Sequence, residues 1–183
     1  TKFEEVASVI ISTTFVPWSF STLIFLNDMS ETYPDKFDFH YDLFFILLGL
    51  FAAWLSDSFA YFSGRFFGKH KLCPKISPKK TVEGAIGGIV GAVVSNVVLF
   101  TVFDRCFFTL HTIGYGWVIL VSLALAVIGI CGDLTASVIK RNFGVKDFGN
   151  LFPGHGGVMD RFDSALFVLT MLYAFITLYG VVC

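Results

Sequence analysis

Seven charged side chains and one histidine fall within the 27 positions from Ser137 to Asp163. Lys140, Arg141, Lys146 and Arg161 are the cations, Asp147, Asp160 and Asp163 the acids, and Gly154-His155-Gly156-Gly157 lies between them. Apolar stretches long enough to cross a membrane flank this run on both sides. Charge so close to hydrocarbon is costly and is usually retained for chemistry. Cations beside carboxylates and exposed backbone N–H groups suit a metal-assisted reaction on phosphate.

The spacing narrows the roles. Asp133, Ser137 and Lys140 stand at i, i+4 and i+7, so on a helix they share one face. An Asp at the centre of a membrane helix costs roughly 2.5–3.5 kcal/mol on insertion scales. A bound metal or a structural pair with Lys140 would each offset that, and spacing does not choose between them. Asp160 and Asp163 are three apart and can point into one cavity. Asp163 equally suits a helix N-terminus, where the dipole favours negative charge. Asp160 stands between the glycine turn and Arg161, which favours a role in chemistry. Carboxylate oxygens are hard ligands, and one from each of two helices, Asp133 and Asp160, with substrate phosphate oxygens completes a magnesium site.

Other polar residues belong to the same reading. Gly154, Gly156 and Gly157 let the backbone come close to an anion and expose N–H groups to it. His155 among them either meets a phosphate or base edge or is an ordinary satisfied polar residue. Lys79 and Lys80 precede a helix that opens near Thr81, where they can hold triphosphate oxygens. Asp57 has Ser56, Ser58, Tyr61 and Ser63 around it in sequence. It lines the same cavity or pairs with Arg65 two turns on.

The elements that must position these groups follow from hydropathy. The chain is 55% hydrophobic and 17% aromatic, with mean hydropathy +0.75. A soluble domain is nearer 45–50% apolar. About 20 apolar residues span a bilayer as a helix. Five segments qualify, at about residues 4–26, 41–63, 82–103, 115–137 and 163–182. The expected fold is an all-α, polytopic membrane helix bundle, with residues 1–183 forming one membrane-embedded catalytic domain. Thr1 is not a Met and no leader pattern follows it, so the expectation is a portion of a longer protein. The four cysteines show no C-x-x-C pair, which gives neither a disulfide framework nor a zinc site.

Gly84/Gly88 and Gly87/Gly91 form two overlapping G-x-x-x-G spacings, which predict close helix packing in the third segment. Gly64-Arg-Phe-Phe-Gly68-Lys69-His70 is not a phosphate-binding Walker loop. It has three residues between its glycines instead of four, and His where Ser or Thr would hold magnesium.

The segment from Ser137 to Asp163 resembles the signature of the CDP-diacylglycerol synthases, or phosphatidate cytidylyltransferases. The likeness is carried by Ser137, Lys140-Arg141, Lys146-Asp147, Gly154-His155-Gly156-Gly157, Asp160-Arg161 and Asp163 at that family's spacing. Asp57, Ser77-Pro78-Lys79-Lys80-Thr81 and Glu83-Gly84 extend it over nearly the whole chain. Members of that family are longer and carry further N-terminal membrane helices, so this chain corresponds to their C-terminal catalytic portion. The resemblance implies transfer of the cytidylyl group of CTP to phosphatidate, with release of pyrophosphate. It implies a magnesium centre, with room for a second cation, on Asp133 and Asp160. It gives catalytic roles to Lys140, Arg141 and Arg161 as well. It places Lys79, Lys80, Ser137, Lys146, the Gly154–Gly157 turn, Asp57 and Asp163 at the substrates. CTP, phosphatidate and membrane lipids are the expected partners, with a homodimer as an open option and no nucleic acid. The expected location is a bacterial inner membrane, or the endoplasmic reticulum in a eukaryote. Two alternatives are a CTP-dependent lipid-alcohol kinase, which would release CDP, and a transporter built on intramembrane acids.

Lys and Arg set the expected orientation. Residues 64–81 and 138–162 hold 10 of the 13 basic residues, and the two loops fall on one side of the membrane. The positive-inside rule puts that side in the cytoplasm. Lys69 and Lys71 are read here as topology signals only. The orientation predicts the outcome of thiol labelling. In a cysteine-free background, Lys75→Cys and Gly149→Cys should resist a membrane-impermeant reagent in intact cells and react once the membrane is opened. Labelling of either position from outside would overturn the orientation.

Overall fold

The computed structural model describes residues 3–74, 76–107, 113–145, 147–148, 157 and 159–182. Among the described residues, six helices and one hairpin follow in chain order: α1 Phe3–Asn27, α2 Met29–Thr32, α3 Phe39–Phe67, β1 Lys71–Cys73, β2 Ser77–Thr81, α4 Val82–Phe107, α5 Tyr115–Asn142 and α6 Met159–Val182. Five of the helices coincide with the five predicted apolar segments. Four of them, α3, α4, α5 and α6, are long and apolar enough to cross a membrane by length and composition. The 25 residues of α1 give it the length for a span as well.

Two elements depart from the sequence expectation. The short α2 follows α1 directly and is tied to α3 by Asp42, which accepts hydrogen bonds from the backbone N–H (2.8 Å) and hydroxyl (2.5 Å) of Ser30. The basic loop after α3 is not irregular: β1 and β2 pair antiparallel, with Lys71 opposite Thr81 and Cys73 opposite Ser77 and a bulge between. Lysine and proline disfavour strands, so only this pairing makes the segment extended.

Glycines set how closely α3 and α4 approach. A Cβ on Gly88 would stand 2.8 Å from the backbone oxygen of Ser56, and one on Gly91 would run into the Phe59 ring. The predicted small-residue packing therefore has a definite partner, the Ser56–Gly64 stretch of α3. On α5, Gly132 makes room for Phe167 of α6 in the same way.

The largest buried side chains lie toward the far end of the bundle, away from the hairpin. Phe37, Tyr41, Phe44 and Phe45 are almost fully buried there and stack with Phe100, Phe103 and Trp117. Midway along, the buried Asn96 of α4 donates to Ser122 of α5 at 3.0 Å.

The packing of α3 on α4 gives a stability prediction. Gly88→Val places methyl groups against the Ser56 backbone oxygen and the Ala60 Cβ, neither of which can rotate aside, so it should cost roughly 1–3 kcal/mol. Gly116→Ala, with nothing within 4 Å of the added carbon, should be neutral or slightly stabilising. Thermal unfolding of the two variants in detergent checks this, and equal melting temperatures would remove the packing role of Gly88.

Candidate functional site

The site forms where the C-terminal ends of α3 and α5 meet the N-terminal ends of α4 and α6, with the hairpin folded over them. Antiparallel neighbours bring these ends together, and that is where the sequence concentrates its charge.

Lys140, in the last turn of α5, is the most enclosed cation of the cluster. Its ammonium donates to Asp160 Oδ1 at 3.0 Å and lies 3.4 Å from Asp163 Oδ2. All three side chains are nearly enclosed, with 12% exposure for Lys140 and 9% for each acid. The ring of Phe148 lies 5.0 Å from the same ammonium. Asp160 has further partners: its Oδ2 accepts the backbone N–H of Phe148 (2.9 Å) and of Gly157 (3.0 Å). One carboxylate thus ties Phe148 and Gly157, which follow α5 and precede α6, to the first turn of α6. Asp163 also accepts the N–H of Ser164 at 2.8 Å. Its carboxylate faces Lys140 inside the cluster, where the sequence had left capping as an alternative.

A second pair stands beside the first. Asp133 of α5 pairs with Lys80 of β2, and both side chains keep about a quarter of their surface, at 23% and 25%. The Asp133–Lys140 pair that spacing allowed is not formed. Each lysine takes an acid from another element, so the two pairs stitch the hairpin to α5 and α5 to α6. Asp57 of α3 accepts the Ser164 hydroxyl at 3.2 Å. It is not paired with Arg65, whose guanidinium donates to the Tyr61 hydroxyl at 2.9 Å.

The hairpin is held by α4. Thr81 accepts the N–H of Gly84 at 3.1 Å through its hydroxyl, an N-cap. Glu83 reaches back to the backbone N–H groups of Lys69 (3.1 Å) and His70 (3.2 Å) and to the His70 ring (2.6 Å). The close approach of Gly64 and Gly84 leaves the space that Thr81 fills.

Two cavities open from this cluster, and Asp57 lines both. The first, of about 490 Å³, lies under the hairpin and is bordered by Arg65, Lys71, Lys79, Lys80 and Asp133. The second, of about 540 Å³, is bordered by Trp54, Ser58, Asp160, Arg161, Phe162 and Asp163. Trp54 donates its indole N–H to the backbone oxygen of Arg161 at 3.2 Å, which fixes the wall between α3 and α6.

Of the predicted site residues, Asp57, Lys79, Lys80, Asp133, Lys140, Asp160, Arg161 and Asp163 are gathered here. Gly157 is buried and donates to Asp160. Ser137 is half-buried on α5, one turn before Lys140. Arg141 is exposed and takes no part in the ion pairs found among the described residues. Lys146, Gly154, His155 and Gly156 lie outside the described residues. Sequence reasoning missed Arg65, Tyr61, Trp54 and Lys71, and the structure moves Lys71 from topology signal to cavity wall. The hint for Lys71 was its distance from Thr81, which suits a short hairpin.

Residues 1–179 match the cytidylyltransferase family. Over 178 residues the chain is 40% identical to a phosphatidate cytidylyltransferase of Bacillus subtilis, covering 97% of this chain and 61% of the relative. Proteins of that name from Staphylococcus haemolyticus and Staphylococcus epidermidis are 45% and 46% identical, over 71% and 70% of this chain. The chain spans about half of those two relatives, 48% and 47% of their length.

The enclosed clamp has a measurable consequence. Lys140→Met leaves two carboxylates facing each other without a counter-charge and should destabilise the protein by roughly 3–5 kcal/mol. Arg141→Met, on the exposed side, should stay within about 0.5 kcal/mol. Denaturant unfolding followed by tryptophan fluorescence compares them, and similar losses in both would mean that Lys140 is not the clamp.

Proposed function

The chain belongs to the cytidylyltransferase family, and we propose that it carries the transfer of the cytidylyl group of CTP to phosphatidate, giving CDP-diacylglycerol and pyrophosphate. The observation that carries this reading is the convergence of four carboxylates, Asp57, Asp133, Asp160 and Asp163, with Lys80 and Lys140 between two adjoining cavities. Two cavities suit two substrates whose phosphates must meet. The names of the relatives supply the substrate pair.

In the reaction an oxygen of the phosphatidate phosphate attacks the α-phosphorus of CTP. The bond to the β-phosphate breaks and pyrophosphate leaves. The attacking phosphate is already anionic near neutral pH, so no protein base is needed. The residues align the two phosphates and offset their repulsion. Lys80, paired with Asp133, and Lys140, between Asp160 and Asp163, would supply the positive charge for this. Lys79 adds charge on the hairpin side. The carboxylate donors suit a hard divalent cation, and Asp133 and Asp160 would hold magnesium, with phosphate oxygens as further ligands. Magnesium would neutralise phosphate charge and stabilise the leaving pyrophosphate. The site faces the cytoplasm in this reading, on the positive-inside argument, with the helices in the membrane.

Membranes carrying the protein, given labelled CTP, phosphatidate and magnesium, should form CDP-diacylglycerol with one pyrophosphate per turnover. Asp133→Asn and Asp160→Asn should each lower turnover by roughly 100-fold or more, as for loss of a group aimed at developing charge. Release of CDP in place of pyrophosphate would make the protein a lipid kinase and sink this reading.

A further inference from the structure

We infer that the cavity under the hairpin is the site of the lipid's phosphomonoester head, and that Arg65 and Lys71 recognise it. This rests on the transfer reading above and assigns one substrate to one cavity. Four cations from three elements surround the space: Arg65 of α3, Lys71 of β1, and Lys79 and Lys80 of β2. Two carboxylates, Asp57 and Asp133, oppose them, and Lys80 is already paired with Asp133. The balance is positive and favours a phosphate dianion. The second cavity has the opposite balance: Asp57, Asp160 and Asp163 face Arg161 alone on its lining, and with the enclosed Lys140 behind two of them the acids still outnumber the cations. A bare phosphate would be repelled there, whereas a nucleotide that arrives with a chelated cation would not.

Geometry at the rim favours a lipid over a soluble phosphate. Arg65 is held by the Tyr61 hydroxyl on the outer face of α3, and Tyr61 is 59% exposed. Phe62 and Phe66, the next residues on that helix, are 55% and 73% exposed. On α5, the half-buried Ile130 lines the cavity, and Val127 one turn before it is exposed. Helices α3 and α5 are both long and apolar enough to lie in a membrane. The cavity therefore has an apolar side on the helices, from Ala60, Tyr61, Ala85 and Ile130, and a cationic side toward the hairpin, which suits an acyl chain and its phosphate head. Arg65 offers a planar pair of donors for phosphate oxygens, and its bond to Tyr61 orients it beforehand.

Steady-state kinetics and binding on purified protein in zwitterionic nanodiscs test the assignment. Arg65→Gln and Lys71→Gln should each raise KM for phosphatidate about tenfold, the loss of one charge-assisted hydrogen bond. KM for CTP should stay within about twofold. Short-chain phosphatidate should raise the melting temperature of the unmodified protein without CTP or metal, and the double variant should lose that shift. Inorganic phosphate at the same concentration should give no shift. A rise in KM for CTP with phosphatidate unaffected would assign the cavity to the nucleotide. An equal shift with inorganic phosphate would make it a general anion site and overturn the lipid assignment. Unchanged constants in correctly folded variants would remove Arg65 and Lys71 from recognition. If the unmodified protein binds phosphatidate through these residues but makes no CDP-diacylglycerol, the transfer reading fails and the cavity assignment stands.

Discussion

The site end of this structure answers to one constraint: charge enclosed at the ends of apolar helices needs a partner within the protein. Removing an ammonium or a carboxylate from water costs several kcal/mol, and only a close, hydrogen-bonded partner offsets it. Lys140 meets this condition with Asp160 and Asp163, and Asp160 gains two backbone donors besides. Lys80 meets it with Asp133. Each pair joins two elements, so neutralisation and assembly are the same event. The hairpin stays over the bundle because Lys80 pairs with Asp133 of α5 and Glu83 of α4 holds Lys69 and His70 before β1. Phe148 and Gly157, both between α5 and α6, are held to the first turn of α6 because Asp160 accepts an N–H from each.

Such pairing requires the helix ends to be near one another, and small residues permit that. Gly88 and Gly91 let α4 close on α3, and Gly132 lets α6 close on α5. In a membrane there is little hydrophobic gain from bringing two helices together, so close backbone contact and interhelical hydrogen bonds carry the association. Asn96 to Ser122 and Ser164 to Asp57 are such bonds, one midway and one at the site. The glycines and the charges thus solve one problem at two depths.

How much of this was legible in the sequence varies with range. Five helices followed from hydropathy because a span needs about 20 apolar residues, a signal that survives any tertiary context. The cluster of Asp133, Lys140, Asp160 and Asp163 followed from spacing on two adjacent helices. The partner of Asp133 did not. Lys140 is nearer in sequence, yet Lys80, 53 positions away, takes the role because the hairpin delivers it. The hairpin was hidden for a related reason: Pro78 and four lysines read as an exposed loop, and only its pairing with β1 and the Thr81 cap shape it. Without the hairpin, neither Lys71 nor Arg65 had a cavity to line, so Lys71 read as a topology signal. Local pattern carried the helices, and long-range contact carried the choice of partners.

The bundle divides labour along its axis. At the far end Phe37, Tyr41, Phe44 and Phe45 pack almost without exposure, and Asp42 ties α2 to α3 with two hydrogen bonds. At the site end few large apolar side chains are buried, and the walls are lysines, carboxylates, glycines and the exposed aromatics Trp54 and Tyr61. Packing of bulky rings resists rearrangement because cores tolerate neither voids nor overlap. A polar cluster can exchange partners with less disturbance, since an arriving phosphate or cation replaces one ionic partner by another. Placing the rigid packing more than three helical turns along α3 from Asp57 lets the helix ends stay registered while the groups at the site end change partners.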